Sequence, residues 1–228
     1  MISTLEKEIT FRFLKARKKD GFLNVISIFS FIGISLGVAV LIIVMSVMNG
    51  FRTELINKIV GFNSHVTVKP YSNSIDESKI NNKLNLISKN IIFSNSGEAI
   101  ILKNNNTKGI VLRGYKRNDL LNLEVLTNEK FKGELNQFDK NSISIGSELS
   151  FSLDLEIGDE LTLMSPSGVQ TIIGSMPKQK TFIVNSIFNS GLAEFDNNIA
   201  FIELNNLEEF FGYDSNERNL EIYLKNPN

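Results

Sequence analysis

Hydrophobic positions crowd into one uninterrupted block near the start of the chain and recur at short periods after it. From Gly21 to Phe51, GFLNVISIFSFIGISLGVAVLIIVMSVMNGF, no residue carries a charge. As a helix, residues 26–48 rise roughly 35 Å at about 1.5 Å per residue, enough to cross a hydrocarbon core of about 30 Å with slight tilt. Its Leu, Ile, Val and Phe side chains favour insertion far more than Ser30, Ser35 and Ser46 oppose it. The block is about twice as long as the apolar part of a secretory signal, and no small-residue cleavage pattern follows. It predicts a membrane anchor. Ahead of it, residues 4–19 set Leu5, Ile9 and Phe13 at helical spacing among basic residues, which reads as an amphipathic helix at the leaflet or as a basic tail serving topology alone. Behind it, Phe51, Leu55 and Ile59 prolong an apolar stripe to Gly61, a helical stalk.

From His65 the period shortens to two. HVTVKP alternates and predicts a short strand; residues 76–89 place Ile80, Leu84 and Ile87 on one helical face, with Ser74 and Asp76 as caps. Residues 97–102 and 109–112 predict a hairpin, and 120–131 a loop with helical turns. Further strands follow at 143–145, 160–164, 181–188, 199–202 and 220–224, with helical turns at 148–155 and 205–211. The expected class is α+β with mostly short strands: one N-terminal transmembrane helix followed by a folded domain.

Charge orients this arrangement. Lys7, Arg12, Lys15, Arg17, Lys18 and Lys19 precede the apolar block, while only Arg52 and Lys58 closely follow it. The positive-inside bias puts the N-terminus in the cytoplasm and the rest across the membrane. The expected organisation is a leader at 1–20, span and stalk at 21–60, and an extracytoplasmic domain at 61–228. A net charge of −1 over 228 residues gives no nucleic-acid signal, and with no cysteine the domain is held by burial alone.

Candidate chemistry is sparse. His65 heads a strand without companions at metal-ligand spacing. GSMPKQK lacks the order of a phosphate-cradling loop. Glu194 and Asp196 read as solvated carboxylates on a turn. No catalytic residue, metal or cofactor is expected. Within the span, Gly33 and Gly37, extended by Ser30, make a small-xxx-small face on which another helix can pack. Between Pro166 and Pro177, SGVQTIIGSM carries Val169, Ile172, Ile173 and Met176 where a tight turn could have joined two strands. This excursion is either a docking hairpin or a tip folded back onto its own domain.

FRFLKARKKDGFLNVISIFSFIGISLGVAVLIIVMSVMNGFRTEL, then SHVTV, SIGSEL, LEIGDELTL and SIFNSGLAEFDNNIAFIEL, resemble the lipoprotein-releasing permeases of the LolC/LolE family, in the MacB/FtsX-like class of ABC transporter subunits. The resemblance covers almost the whole chain. It implies a MacB-like periplasmic domain of two subdomains and a position in the bacterial inner membrane. It also implies a non-catalytic subunit working with a LolD-like ATPase, a second permease (LolE-like or another copy), membrane lipid, an acylated lipoprotein and the periplasmic carrier LolA. The excursion then corresponds to the hook of LolC-type subunits, which captures LolA, with Pro166, Val169, Ile172, Ile173, Met176 and Pro177 in the hook and Gln179 with Lys180 in a polar pad at its base. Where the family pattern has a basic residue before the first proline, this chain has Thr162. Four spans are usual in such permeases, so the chain resembles an N-terminal portion. A permease of the same superfamily for another amphiphile, or a bitopic extracytoplasmic sensor, are the alternative readings.

Overall fold

The computed structural model describes residues 4–14, 21–71, 74–75, 84–103, 106–127, 130–134, 138–139, 141–166, 169–171 and 174–225. They fall into two units, Met1–Leu55 and Ile56–Asn228.

The first unit holds α1 (Thr4–Leu14) and most of α2 (Gly21–Phe62). Within α2, Val25–Ile56 is long and apolar enough to cross a membrane. Phe29, Ile34, Leu41 and Met45 along it are all exposed. A helix apolar on every face and uncovered by protein is suited to lipid. In α1, Leu5, Ile9 and Phe11 are also exposed, and the expected continuation through residues 15–19 lies outside the described residues.

The second unit is built on β1 (Val66–Val68), β2 (Ser88–Lys103), β3 (Asn106–Tyr115), β4 (Lys132–Gly133), β5 (Ser142–Gly146), β6 (Glu160–Met164), β7 (Val169–Thr171), β8 (Gly174–Met176), β9 (Gln179–Phe188), β10 (Ile199–Glu203) and β11 (Asn219–Leu224). Its helices are α3 (Arg117–Leu120), α4 (Glu124–Thr127), α5 (Ser147–Leu153), α6 (Ala193–Asn198) and α7 (Leu204–Phe211). Among the described residues nine strands share one sheet, β1-β11-β2-β3-β10-β5-β9-β4, with β6 bridging β9 back to β2. β2 makes this possible by its length. Its first residues pair β11, residues 94–103 pair β3, and Ile100, Ile101 and Leu102 pair Met164, Leu163 and Thr162 of β6. The strands β2, β3, β10, β5, β9 and β6 therefore close into a ring.

Alternation fills the ring. Ile101, Leu112, Ile143, Leu161, Leu163, Phe182, Val184 and Ile202 are buried in one cluster, joined by Leu149 and Leu153 of α5 and by Leu207 and Phe210 of α7. At roughly 1.5–3 kcal/mol for each large side chain removed from water, this cluster is the domain's main stabilising term. α5 covers the end of the β2–β3 hairpin, where the Lys103 ammonium donates to the Asp154 carbonyl at 2.6 Å. α7 lies at the opposite end, over two glycines. A Cβ on Gly97 would sit 2.7 Å from the Phe211 ring, and one on Gly114 2.9 Å from Leu207 Cβ. A second cluster gathers Phe62, Tyr115, Phe188 and Phe201, with Phe195 stacked on Phe62 at 4.6 Å. Phe62 is the last residue of α2. The Arg113 guanidinium lies 5.2 Å from its ring and donates to Asn63 Oδ1 at 2.7 Å. Nearby, Tyr115 and Ser94 hydroxyls donate to Glu221, at 3.0 and 2.6 Å. Burial, then the Glu221 charge, push the Tyr115 phenol well above its usual range.

Two expectations are corrected. The helix expected over 76–89 does not reach Lys89: residues 84–87 are helical, 76–83 lie outside the described residues, and β2 begins at Ser88. The run KNIIF pairs with β11, and those ladder bonds override a helical stripe. The hairpin strand expected at 97–102 is only part of the 16-residue β2. The short strand expected at HVTVKP is present as β1, at the edge of the sheet with its three residues all exposed.

Candidate functional site

The excursion between the prolines grows out of the paired strands β6 and β9, which run in register from Glu160 with Ile183 to Met164 with Gln179. The Ser165 amide donates to the Lys178 carbonyl at 2.8 Å, one step beyond the last pair. Pro166 and Pro177 come next, both exposed. A proline has no amide hydrogen to donate, so the ladder breaks there. Beyond the break β7 and β8 pair with each other, Val169 opposite Met176 and Thr171 opposite Gly174, as a separate two-stranded sheet. Ile172 and Ile173, which join them, lie outside the described residues, as do the side chains of 169–171 and of Gly174 and Ser175. Met176 is 59 % exposed and belongs to neither core cluster.

The root of this ribbon is held from one side. Successive residues of a strand point to opposite faces, so Lys180 falls with the inward Phe182 and Val184, while Gln179 falls with the outward Thr181 and Ile183. The Lys180 ammonium lies 5.4 Å from the Phe182 ring centroid and donates to Asn206 Oδ1 at 3.4 Å. Lys178 donates to the Glu209 carbonyl at 2.6 Å. Both lysines thus tie the root to α7. On the other face, Gln179 Nε2 approaches Met164 Sδ at 4.0 Å, and the Thr162 and Thr181 hydroxyls share a hydrogen bond of 3.0 Å. The structure separates Gln179 from Lys180 and puts Gln179 in a row with Met164, Thr162 and Thr181. The lysine ties and the threonine pair escaped notice in the sequence, although period-two alternation from the buried Phe182 points to them.

The remaining candidates have structural roles. His65 Nδ1 accepts from the Leu224 amide at 3.0 Å, and its ring meets Tyr223 edge to face. Asp196 is not solvated. It is 2 % exposed and its Oδ1 accepts from the Ser190 amide at 2.8 Å, because α6 packs its backbone onto Gly146. Among the described residues, no group of three or more His, Cys, Asp or Glu side chains could hold a metal ion. Gly33 and Gly37 leave open space where a Cβ would stand.

A family model described as the MacB-like periplasmic core domain matches residues 27–228. The lipoprotein-releasing system transmembrane protein LolC of Neisseria meningitidis serogroup B is 27% identical over 232 residues, covering 98% of this chain and 55% of that protein. The lipoprotein-releasing system transmembrane protein LolE of Haemophilus influenzae is 25% identical over 232 residues, covering 96% and 55%. The chain thus spans about half the length of these curated relatives. The periplasmic region of MacB from Actinobacillus actinomycetemcomitans aligns with a TM-score of 0.43 at 11% identity, over 75% of this chain and 79% of that one.

Proposed function

Because this chain belongs to the family of MacB-like periplasmic core domains, we propose that it serves in a permease subunit of an ABC transporter that releases lipoproteins from the inner membrane. α2 anchors it with the N-terminus in the cytoplasm, and the domain from Gly61 onward lies in the periplasm. It performs no chemistry itself; ATP hydrolysis belongs to a LolD-like partner, and a second permease subunit completes the pathway. The observation that carries the finer reading is the β7–β8 ribbon, which leaves the ring at Pro166 and Pro177 and pairs only with itself among the described residues. Such a ribbon offers an apolar tip to a partner at no cost to the core, and we assign that partner as the LolA-type periplasmic carrier. Lipoprotein passes to the carrier while the ribbon holds it, and Gln179 lies on the face that meets the carrier beside the root.

The test is capture of purified carrier by the full chain in detergent. Losing a large apolar anchor at the centre of an interface costs about 1–3 kcal/mol, roughly 5- to 150-fold in Kd. Ile173→Asp is expected to weaken capture at least that much with an unchanged melting temperature. Lys180→Ala acts differently: it releases α7 from the root, so stability falls with capture. Carrier binding unaffected by Ile173→Asp, or lost only in step with the folded fraction, sinks the assignment.

A further inference from the structure

Away from the ribbon, a cavity of 590 Å³ opens between the first half of β2, α3 and β11. Lys89, Lys116 and Arg117 line it, with one carboxylate, Asp119, and three asparagine amides between them. Its floor is apolar, made by Ile91, Phe93 and the buried Leu220. The Lys116 ammonium lies 5.8 Å from the Phe93 ring centroid, at the seam between floor and basic rim. From Ile56 onward the residues outside this cavity carry more acidic than basic side chains. No role in the carrier reading requires it.

We propose that this cavity binds the phosphodiester headgroup of an anionic amphiphile. Lys and Arg together suit phosphate oxygens, as a point charge and as a planar fork, and amides between them suit the ester oxygens and hydroxyls of such a group. A free inorganic anion uses only the rim, where salt screens charge beyond about 8 Å. An amphiphile also covers Ile91 and Phe93 with its first non-polar carbons, which is the use an apolar floor has. The same chain carries a helix apolar enough to sit in a membrane, where such molecules are abundant. Asp119 opposes the anion. Removing its charge therefore strengthens the site; burial pushes its carboxyl up and Lys116 pulls the other way.

The full chain in phosphatidylcholine nanodiscs is titrated with dihexanoyl-phosphatidylglycerol below its micelle concentration, and the amide signals of Lys89 and Lys116 are followed by NMR. Binding at least tenfold tighter than dihexanoyl-phosphatidylcholine or inorganic phosphate is expected. Lys116→Glu with Arg117→Glu should weaken it at least tenfold, and Asp119→Asn should tighten it about threefold. The gain in Asp119→Asn cannot come from unfolding, so it decides the matter if the charge-reversed protein loses its dispersed spectrum. Equal affinity for the two lipids overturns the proposal, as does an Asp119→Asn protein with unchanged affinity. Inorganic phosphate binding as tightly as the anionic lipid overturns it in favour of a free-anion site.

Discussion

Gly146 shows how much a single hydrogen atom in place of a side chain can decide. A Cβ there would stand 2.0 Å from the Asp196 carbonyl oxygen. That oxygen belongs to backbone which cannot slide away, because the Asp196 carboxylate is buried on the Ser190 amide. Gly146→Ala is expected to cost on the order of 3 kcal/mol, which for a domain of this size lowers the melting temperature by about 10 °C. Gly109, where a Cβ meets nothing within 4 Å, is the control; Gly109→Ala should melt within about 2 °C of the parent. A calorimetric scan of the two proteins separates close approach from a general glycine effect. The position of Gly146 at the end of a strand was legible in SIGSEL, but its neighbour was not. Asp196 lies on α6, brought to Gly146 by strand pairing that no local pattern records. The same holds for Asp196 itself, whose short spacing from Glu194 looked like a solvated pair.

At the scale of elements, β-strands were readable wherever Ile, Val and Phe alternated, as in TFIVNSIF of β9, and α7 was readable from its apolar face. The run at 76–89 misled because Leu84 and Ile87 satisfy a helical stripe while Ile91 and Phe93 satisfy a strand, and pairing with β11 settles the boundary at Ser88. The ribbon was legible as an excursion from its two prolines. Its root was less so, since the KQK run reads as one basic patch until strand geometry sends Lys178 and Lys180 toward α7 and Gln179 away. For α2 the open prediction concerns Gly33 and Gly37, proposed as a face for another membrane helix. In the membrane-embedded permease, Gly33→Leu with Gly37→Leu is expected to weaken subunit association by about tenfold while insertion is unchanged. Pull-down of the partner permease measures the first and carbonate extraction the second. Association equal to the parent means that the two glycines face lipid.

For the whole molecule, the basic leader and the apolar block set a topology that reporters can read. Alkaline phosphatase fused after the last residue is expected to be active in a Gram-negative host, and a cytoplasmic reporter at the same place inactive. Neutralising Arg12, Lys15, Arg17, Lys18 and Lys19 together should mix the two outcomes, because the Lys/Arg asymmetry is the main orienting term. Phosphatase that stays inactive, with an active cytoplasmic reporter, reverses the orientation. The closed ring has a further consequence, which lies in time and not in space. Two of its seams, β3 with β10 and β2 with β6, join stretches distant in the chain. Contacts of that kind form slowly, because much chain must be ordered before any of them is made. As synthesis proceeds from the N-terminus, β2 and β3 emerge early and wait with open edges until β10 arrives. In the proposed topology α2 precedes these strands in synthesis, so the open edges are presented by a chain that is already anchored, and the finished ring then hides them.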